Sequence, residues 1–203
     1  HRIAHLIRER GVPAYRVMAV TFTNKAAREM VTRLEELIGE DTQRLMIGTF
    51  HAICVRILRR EAELAGINPH FTIFDADDQR RLVTQILQDL NLDSNQYRPS
   101  NVLAAISRAK NDLLSPKTYR PPTYWHEAVA RVFERYEHDL RQNGALDFDD
   151  LLLETERLLR APEVCRRYQD RYWHLLVDEF QDTNKAQYEL VSHLTGERRN
   201  VFV

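Results

Sequence analysis

A short apolar run at residues 175–177 ends in two adjacent carboxylates, Asp178 and Glu179. Three consecutive apolar residues predict a strand that is buried on both faces, as in the parallel sheets of α/β proteins. Ligands of open α/β sheets bind outside the carboxyl ends of the strands, which is where both carboxylates fall. The segment therefore predicts a site for a nucleotide that is hydrolysed, where Asp178 binds Mg²⁺ and Glu179 orients or deprotonates the attacking water.

The two carboxylates also have a structural explanation, because an acidic turn after a strand often caps the helix that follows. For an isolated Asp-Glu pair, this explanation is the more common one. Asp182 is expected to cap that helix rather than to bind a second metal ion. Gln181 has two open interpretations: contact with the γ-phosphate, which would couple the site to DNA, or a hydrogen-bonded amide within a turn.

Two strand-then-helix units near the amino terminus predict further parallel strands. The first is a strand over residues 17–22, followed by a helix that Asn24 caps and Gly39 ends. The second is a strand over residues 45–48, followed by a helix that begins near Ala52. The strand-to-helix turns of such units meet at the carboxyl edge of the sheet, so both turns are expected to lie at the ligand-binding edge.

The pattern changes between residues 75 and 142, where apolar residues recur at helical spacing without an intervening strand. Three helices are expected there, starting at Asp75, at Ser100 and near Thr123. An all-helical block within an α/β frame predicts an insertion. After this block, helices are predicted over residues 147–160, 163–173 and 185–194, and residues 200–203 begin another strand.

Four segments, taken together, resemble motifs of superfamily 1 helicases of the UvrD, PcrA and Rep group. Val-Thr-Phe-Thr-Asn-Lys-Ala-Ala at residues 20–27 and Gly-Thr-Phe-His-Ala at residues 48–52 look like the DNA-contacting motifs Ia and Ib. Asp-Glu-Phe-Gln-Asp-Thr-Asn at residues 178–184 looks like that group's Walker B motif. Leu-Asp-Phe-Asp-Asp-Leu at residues 146–151 resembles a segment that lies between them. The resemblance covers nearly the whole chain.

The resemblance implies an α/β fold with a RecA-like parallel sheet of the P-loop NTPase type. Residues 1–74 and 144–203 would form domain 1A, and residues 75–143 would form the helical insertion subdomain 1B. It further implies a motor that uses ATP and Mg²⁺, moves on single-stranded DNA from 3′ to 5′ and unwinds duplex at a junction, in repair or replication with accessory proteins. A nuclease-fused recombination helicase is an alternative, which the Thr-Asn-Lys-Ala-Ala segment disfavours.

Nine residues are candidate DNA contacts: Thr21, Phe22, Asn24, Lys25, Thr49, Phe50, His51, Arg108 and Lys110. The rings of Phe22 and Phe50 would stack on bases without sequence preference, and their alternative is burial at a strand end. The short polar groups would contact phosphates and sugars, with helix capping as the alternative at Asn24. Arg108 and Lys110 form a small basic cluster that would meet duplex DNA, unless it is a solvated helix face.

A phosphate-cradling segment of the form Gly-x-x-x-x-Gly-Lys-[Ser/Thr] does not occur in the 203 residues. The chain begins at His1 rather than Met, and an apolar helical pattern that ends at Gly11 suits the helix after such a segment. We therefore expect a fragment that lies between that segment and the family's motif III and that does not hydrolyse ATP by itself. A non-catalytic DNA-binding or partner-docking module with a vestigial acidic motif is the alternative from another class.

The composition fits a globular chain, since 43% of the residues are hydrophobic and the net charge is −1. Near-neutrality argues against a wholly basic DNA-binding protein, yet it allows a basic groove opposite an acidic face. Cys54 and Cys165 are far apart and have no metal-ligand spacing, so buried free thiols in a reducing compartment are expected. No signal peptide or membrane span is visible, and a cytoplasmic location is expected.

Overall fold

The computed structural model describes residues 1–203 and contains ten α-helices and six β-strands. The helices are α1 (Arg2–Arg8), α2 (Asn24–Ile38), α3 (Phe50–Arg60), α4 (Ala62–Ala65), α5 (Ala76–Asp89), α6 (Pro99–Asn111), α7 (Tyr124–Gln142), α8 (Phe148–Leu159), α9 (Pro162–Arg171) and α10 (Lys185–Thr195). The strands are β1 (Val17–Thr21), β2 (Met46–Thr49), β3 (Thr72–Ile73), β4 (Ala145–Leu146), β5 (His174–Val177) and β6 (Val201–Phe202).

The chain divides into two compact units, and each is described by itself. The sheet unit comprises residues 1–57 and 155–203, and the helical unit comprises residues 58–154. The two boundaries fall within α3 and α8. The subdomain limits predicted from the sequence, at residues 74/75 and 143/144, stay a prediction.

Four parallel strands form the sheet unit in the order β2-β1-β5-β6. All five residues of β1 are buried, as the apolar sequence of a central parallel strand requires. The register pairs Thr21 with Thr49 on one side of β1 and Val20 with Val177 on the other. The predicted α/β fold with a parallel sheet is confirmed, and the ends of β1, β2 and β5 lie at one edge.

Helices cover both faces of this sheet. Along β1, Val17 and Ala19 pack into a core that includes Leu34 and Ile38 of α2 and residues of α1. Met18 and Val20 point to the other face, where residues of α3 and α10 enclose them. This alternation follows from strand geometry, because successive side chains point to opposite faces. The result is a three-layer arrangement with the sheet in the middle.

Both cysteines are free, and the predicted burial is confirmed for Cys54 but not for Cys165, which is half-buried. Cys54 of α3 is fully enclosed, and burial raises the pKa of its thiol to about 12, although a hydrogen bond with Thr155 opposes the shift. Burial also raises the pKa of Cys165, which is half-buried. Thiols with raised pKa values carry little thiolate at neutral pH, so neither cysteine has the properties of a nucleophile.

Helices α5, α6 and α7 form the core of the helical unit. Their apolar stripes meet through Ile86, Ile106 and Phe133, all of which are fully buried. The predicted run of helices is confirmed, and two short strands that the sequence did not reveal flank it. β3 and β4 pair in parallel through Thr72 with Ala145 and Ile73 with Leu146, so the ends of the helical run are held side by side. No helix of the chain is long and apolar enough to cross a membrane.

Three predicted helix caps lie at neighbouring residues in the structure. Thr23, rather than Asn24, caps α2, because its Oγ1 accepts a hydrogen bond from Ala26 N at 3.1 Å. Asn184, rather than Asp182, caps α10 and forms a reciprocal capping box with Gln187. In α6 the cap is Arg98 rather than Ser100, and Pro99 occupies the first helical position.

The cap of α2 leads to a stability prediction. Thr23→Ala should lower the free energy of unfolding by about 1 kcal/mol, because one amide at the start of α2 loses its acceptor. Chemical denaturation of the 203-residue chain, followed by circular dichroism, would measure the change. Asn24→Ala is the matched control and should leave stability nearly unchanged, since Asn24 is a first-turn residue without a capping bond. A larger loss in the control than in Thr23→Ala would contradict this assignment.

Candidate functional site

The carboxyl edge of the sheet collects three polar segments, one after each of β1, β2 and β5. Parallel pairing brings them together, since the strands run in the same direction and end in register. The ladder continues one residue beyond β5, where Asp178 N donates to Val20 O at 2.9 Å. The backbone that carries the candidate metal ligand is thus hydrogen-bonded to the strand that leads into the first candidate DNA segment.

Asp178 and Glu179 are both exposed at this edge. Glu179 has φ 51° and ψ 40°, the left-handed region that a non-glycine residue rarely adopts. A 3₁₀ turn, Phe180–Asp182, follows, and Asp182 N donates to Glu179 O at 2.9 Å. Backbone strain of this kind clusters at functional sites, where the surrounding structure holds it in place.

Gln181 contacts the candidate base directly. Its Nε2 donates a hydrogen bond to Glu179 Oε2, and both residues are exposed. The amide is therefore directed at a carboxylate of the site rather than at the interior of the protein. This bond lies within the turn, so it is also what a hydrogen-bonded turn amide would make. Both interpretations of Gln181 therefore stay open, and its contact with a γ-phosphate stays a prediction.

A cavity of about 530 Å³ lies beside the two carboxylates, within the sheet unit. Asp178, Glu179 and Gln181 line one part of it, while Arg2 of α1 and Arg33 of α2 line another. The volume lies within the usual range for small-molecule and cofactor sites. Exposed carboxylate oxygens suit a hard cation such as Mg²⁺, and guanidinium groups suit phosphates. The residues present therefore fit a magnesium nucleotide.

Arg2 and Arg33 were not among the residues singled out from the sequence. Neither lies in a recognisable motif, and their place in the cavity depends on how α1 and α2 pack against the sheet. Arg2 also lies over the ring of Phe202 in β6, 5.9 Å from its centroid. The sequence alone does not show how these helices pack, so it could not have identified the two arginines as part of the site.

The segment after β1 contains the most accessible of the candidate DNA residues. Asn24 and Lys25 are exposed, and Phe22 is half-buried. Lys25 Nζ lies 3.9 Å from Glu29 Oε1 across one helical turn, with both side chains largely exposed. A surface ion pair of this kind is weak, so the ammonium group is available to a phosphate. These residues stay predicted DNA contacts.

Three other candidates at the same edge are buried. Thr21, Thr49 and Phe50 are buried, and Thr49 Oγ1 accepts from Ala52 N at 3.2 Å, which caps α3. The Phe50 ring packs edge-on against Phe22, with their centroids 5.5 Å apart. The structure favours the burial alternative for Phe50, whose ring contacts that of Phe22. His51 is half-buried and stays a candidate.

The prediction that Lys110 contacts DNA is wrong, because its side chain is buried. Its side chain is 0% exposed, and its ammonium group is enclosed by carboxylates within the helical unit. A buried and neutralised ammonium cannot reach a DNA phosphate. Arg108 of the same helix is exposed and stays a predicted contact.

Comparisons with known proteins define the class. Residues 1–203 match the family described as UvrD/REP helicase N-terminal domain, and the chain belongs to that family. Among its relatives are proteins named ATP-dependent DNA helicase PcrA. The chain is 46% identical over 207 residues to the one from Leuconostoc citreum and 45% identical over 206 residues to the one from Staphylococcus aureus. Each alignment covers 100% of this chain and 28% of the relative.

The buried position of Lys110 predicts an effect on stability rather than on DNA affinity. Lys110→Met should lower the free energy of unfolding of the helical unit by about 3–5 kcal/mol, because it leaves buried carboxylates without their counter-ion. Urea denaturation would measure it. Lys117→Met, at an exposed lysine of the same unit, should change stability little. A variant at Lys110 with normal stability and weaker DNA binding would restore the surface interpretation.

Proposed function

We propose that the chain is the part of an ATP-dependent DNA helicase that contributes to nucleotide hydrolysis and binds single-stranded DNA. The observation that carries the proposal is the position of Asp178 and Glu179, at the carboxyl end of β5 and beside a cavity of nucleotide size. Membership in the UvrD/REP helicase N-terminal domain family supports it. The chain spans 28% of the length of its relatives, so the activity is proposed for the whole protein.

The site residues have distinct roles in this proposal. Asp178 would hold Mg²⁺, which when bound would supply positive charge to the phosphate oxygens. Glu179 accepts a proton from the attacking water and orients its lone pair. Gln181 holds Glu179 Oε2 by its hydrogen bond, which orients the carboxylate. Arg2 and Arg33 supply positive charge to the phosphates.

Single-stranded DNA is the proposed ligand of the segments that follow β1 and β2. Phe22 stacks on a base, while Asn24, Lys25 and His51 contact the sugar-phosphate backbone. The hydrogen bond from Asp178 N to Val20 O links the nucleotide site physically to the DNA-binding segment after β1. Movement at either site therefore acts on the same backbone hydrogen bonds between β1 and β5. We further propose 3′ to 5′ movement, unwinding at a duplex junction with Arg108 near the duplex, and a cytoplasmic role in repair or replication.

Hydrolysis by the whole protein tests the proposed base. Glu179→Gln should reduce DNA-stimulated ATP hydrolysis by at least about 100-fold while nucleotide and DNA binding persist, because the amide cannot accept the proton. Steady-state phosphate release, with and without single-stranded DNA, would measure this. Glu36→Gln, at an exposed glutamate of α2 outside the cavity, is the matched control and should retain full turnover.

Two outcomes of this experiment would weigh against the proposal. Normal hydrolysis by Glu179→Gln would show that Glu179 is not the base. Absence of hydrolysis in the unmodified whole protein, with DNA binding intact, would favour a non-catalytic DNA-binding or partner-docking module.

The 203-residue chain should bind single-stranded DNA weakly, and only at low salt, because a few phosphate contacts release few counter-ions. Lys25→Ala should reduce the slope of log affinity against log salt by about 1, the contribution of one phosphate contact. Fluorescence anisotropy with a labelled oligonucleotide would measure both. Lys117→Ala, in the helical unit, is the control for loss of a positive charge. Tight binding that does not vary with salt would refute this view of the contact surface.

A further inference from the structure

The helical unit encloses a charged group that neither the nucleotide site nor the DNA edge uses. Three carboxylate oxygens surround the Lys110 ammonium: Glu137 Oε1 at 2.6 Å, Asp147 Oδ2 at 2.7 Å and Asp150 Oδ1 at 2.6 Å. The Lys110 cluster, meaning these four residues, joins α6, α7 and the start of α8. Lys110, Asp147 and Asp150 are buried, and the Glu137 side chain is 12% exposed.

The charges of the Lys110 cluster do not balance. Three ionised carboxylates and one ammonium leave two uncompensated negative charges in the interior. Burying one such charge without a partner is already costly, and the cost rises when like charges share a site. The tyrosine hydroxyl of Tyr136 donates to Asp147 Oδ2 at 3.0 Å, which relieves part of the excess but adds no positive charge.

The start of α8 accounts for one of the two negative charges. Asp150 N donates to Asp147 Oδ1 at 2.8 Å, and Asp147 N donates to Asp150 Oδ2 at 3.0 Å. This reciprocal capping box places the pair at the positive end of the helix dipole, where one net negative charge is stabilised. Nothing comparable compensates the second.

Glu137 is the least well satisfied member. Its Oε1 is fully enclosed, and the contact with Lys110 lacks the alignment of a hydrogen bond. An enclosed carboxylate oxygen without an aligned donor is a costly place for a negative charge. The charge count and the poor alignment of this contact both indicate that the Lys110 cluster binds a further positive charge.

We propose that the Lys110 cluster is a proton-binding site, which holds one proton beyond those of the ammonium group when the helical unit is folded at neutral pH. The ligand is a proton rather than a metal ion because Nζ already occupies the centre of the three carboxylates. The proton is shared within the Lys110 cluster, because one oxygen of each carboxylate lies 2.6–2.7 Å from the same ammonium nitrogen. When this proton is bound, the net charge of the Lys110 cluster is −1, which the start of α8 stabilises.

The electrostatics of the members agree with this site. Burial raises the pKa of Asp150 well above its ordinary value, and the attraction of Lys110 does not cancel the rise. Burial works to lower the pKa of Lys110, but Asp150, Asp147 and Glu137 outweigh it, so that pKa is raised as well. Besides these carboxylates and Tyr136, Asp149 also interacts electrostatically with Lys110. The ammonium therefore stays charged while a carboxyl group takes up the extra proton.

Binding of a proton in the folded state makes stability depend on pH in a definite direction. A carboxyl group whose pKa is raised by folding contributes stability that is present below its unfolded pKa, about 4. This contribution is lost as pH rises through the folded value. One proton released per molecule reduces the folding equilibrium constant by up to tenfold for each pH unit.

Glu137→Gln is the decisive variant. The amide removes one negative charge, so the Lys110 cluster reaches the same net charge without the proton. Urea unfolding, from about pH 5 to about pH 8, would compare Glu137→Gln with the unsubstituted 203-residue chain, called the parent chain below. A Trp173→Phe background leaves Trp125 of α7 as the only tryptophan, so fluorescence reports the helical unit. Glu134→Gln, at an exposed glutamate of the same helix, is the matched control.

The folding constant of the parent chain should fall towards high pH relative to Glu137→Gln, by up to tenfold per pH unit, and Glu134→Gln should follow the parent chain. Parallel pH profiles for the parent chain and Glu137→Gln would overturn the proposal. Infrared difference spectra at neutral pH provide a second readout. The parent chain should show one carboxylic-acid carbonyl more than Glu137→Gln, and equal intensities would overturn the proposal too. Asp149, a half-buried neighbour whose pKa is raised by partial burial, is present in both proteins, so its carbonyl band does not contribute to the difference between them.

Discussion

The hydrogen bonding of β1 to β2 on one side and to β5 on the other is the constraint on which the candidate site depends. It brings together strand ends that are 157 residues apart in the sequence, since Val20 pairs with Val177. A shift of one residue in this register would turn the side chains of β1 to the opposite faces. Both faces of β1 are packed against helices, so such a shift would require the cores on both sides of the sheet to repack.

Much of the sheet unit could be predicted from the sequence, because strand and helix periodicities differ and glycines mark helix ends. The strand order could not be predicted, since periodicity carries no information about which strands pair. The caps show a finer limit. Thr23 and Asn24 are both good capping residues, and only backbone conformation distinguishes them: Thr23 is extended, with φ −123°, and the helix begins at Asn24.

Lys110 shows why charged residues are the hardest to place from sequence alone. A lysine on a helix is normally solvated, and its partners Asp147 and Asp150 lie 37 and 40 residues away. The sequence offers only an indirect signal, namely three aspartates within four residues in an otherwise apolar stretch. In the structure two of these aspartates cap α8 while they also bind the ammonium. A single set of carboxylates therefore fixes both a helix start and a buried cation.

At the carboxyl edge of the sheet, the buried residues differ from the exposed residues that are proposed to act on the nucleotide. Thr21, Thr49 and Phe50 are buried, whereas Asp178 and Glu179 are exposed. The left-handed backbone of Glu179 is conformationally strained. The hydrogen bonds donated by Asp178 N and Asp182 N on either side offset this strain. An extended backbone at residue 179 would continue the strand and turn the next side chains away from the cavity. The strained turn is thus what places Glu179 and Gln181 beside the same volume as Asp178.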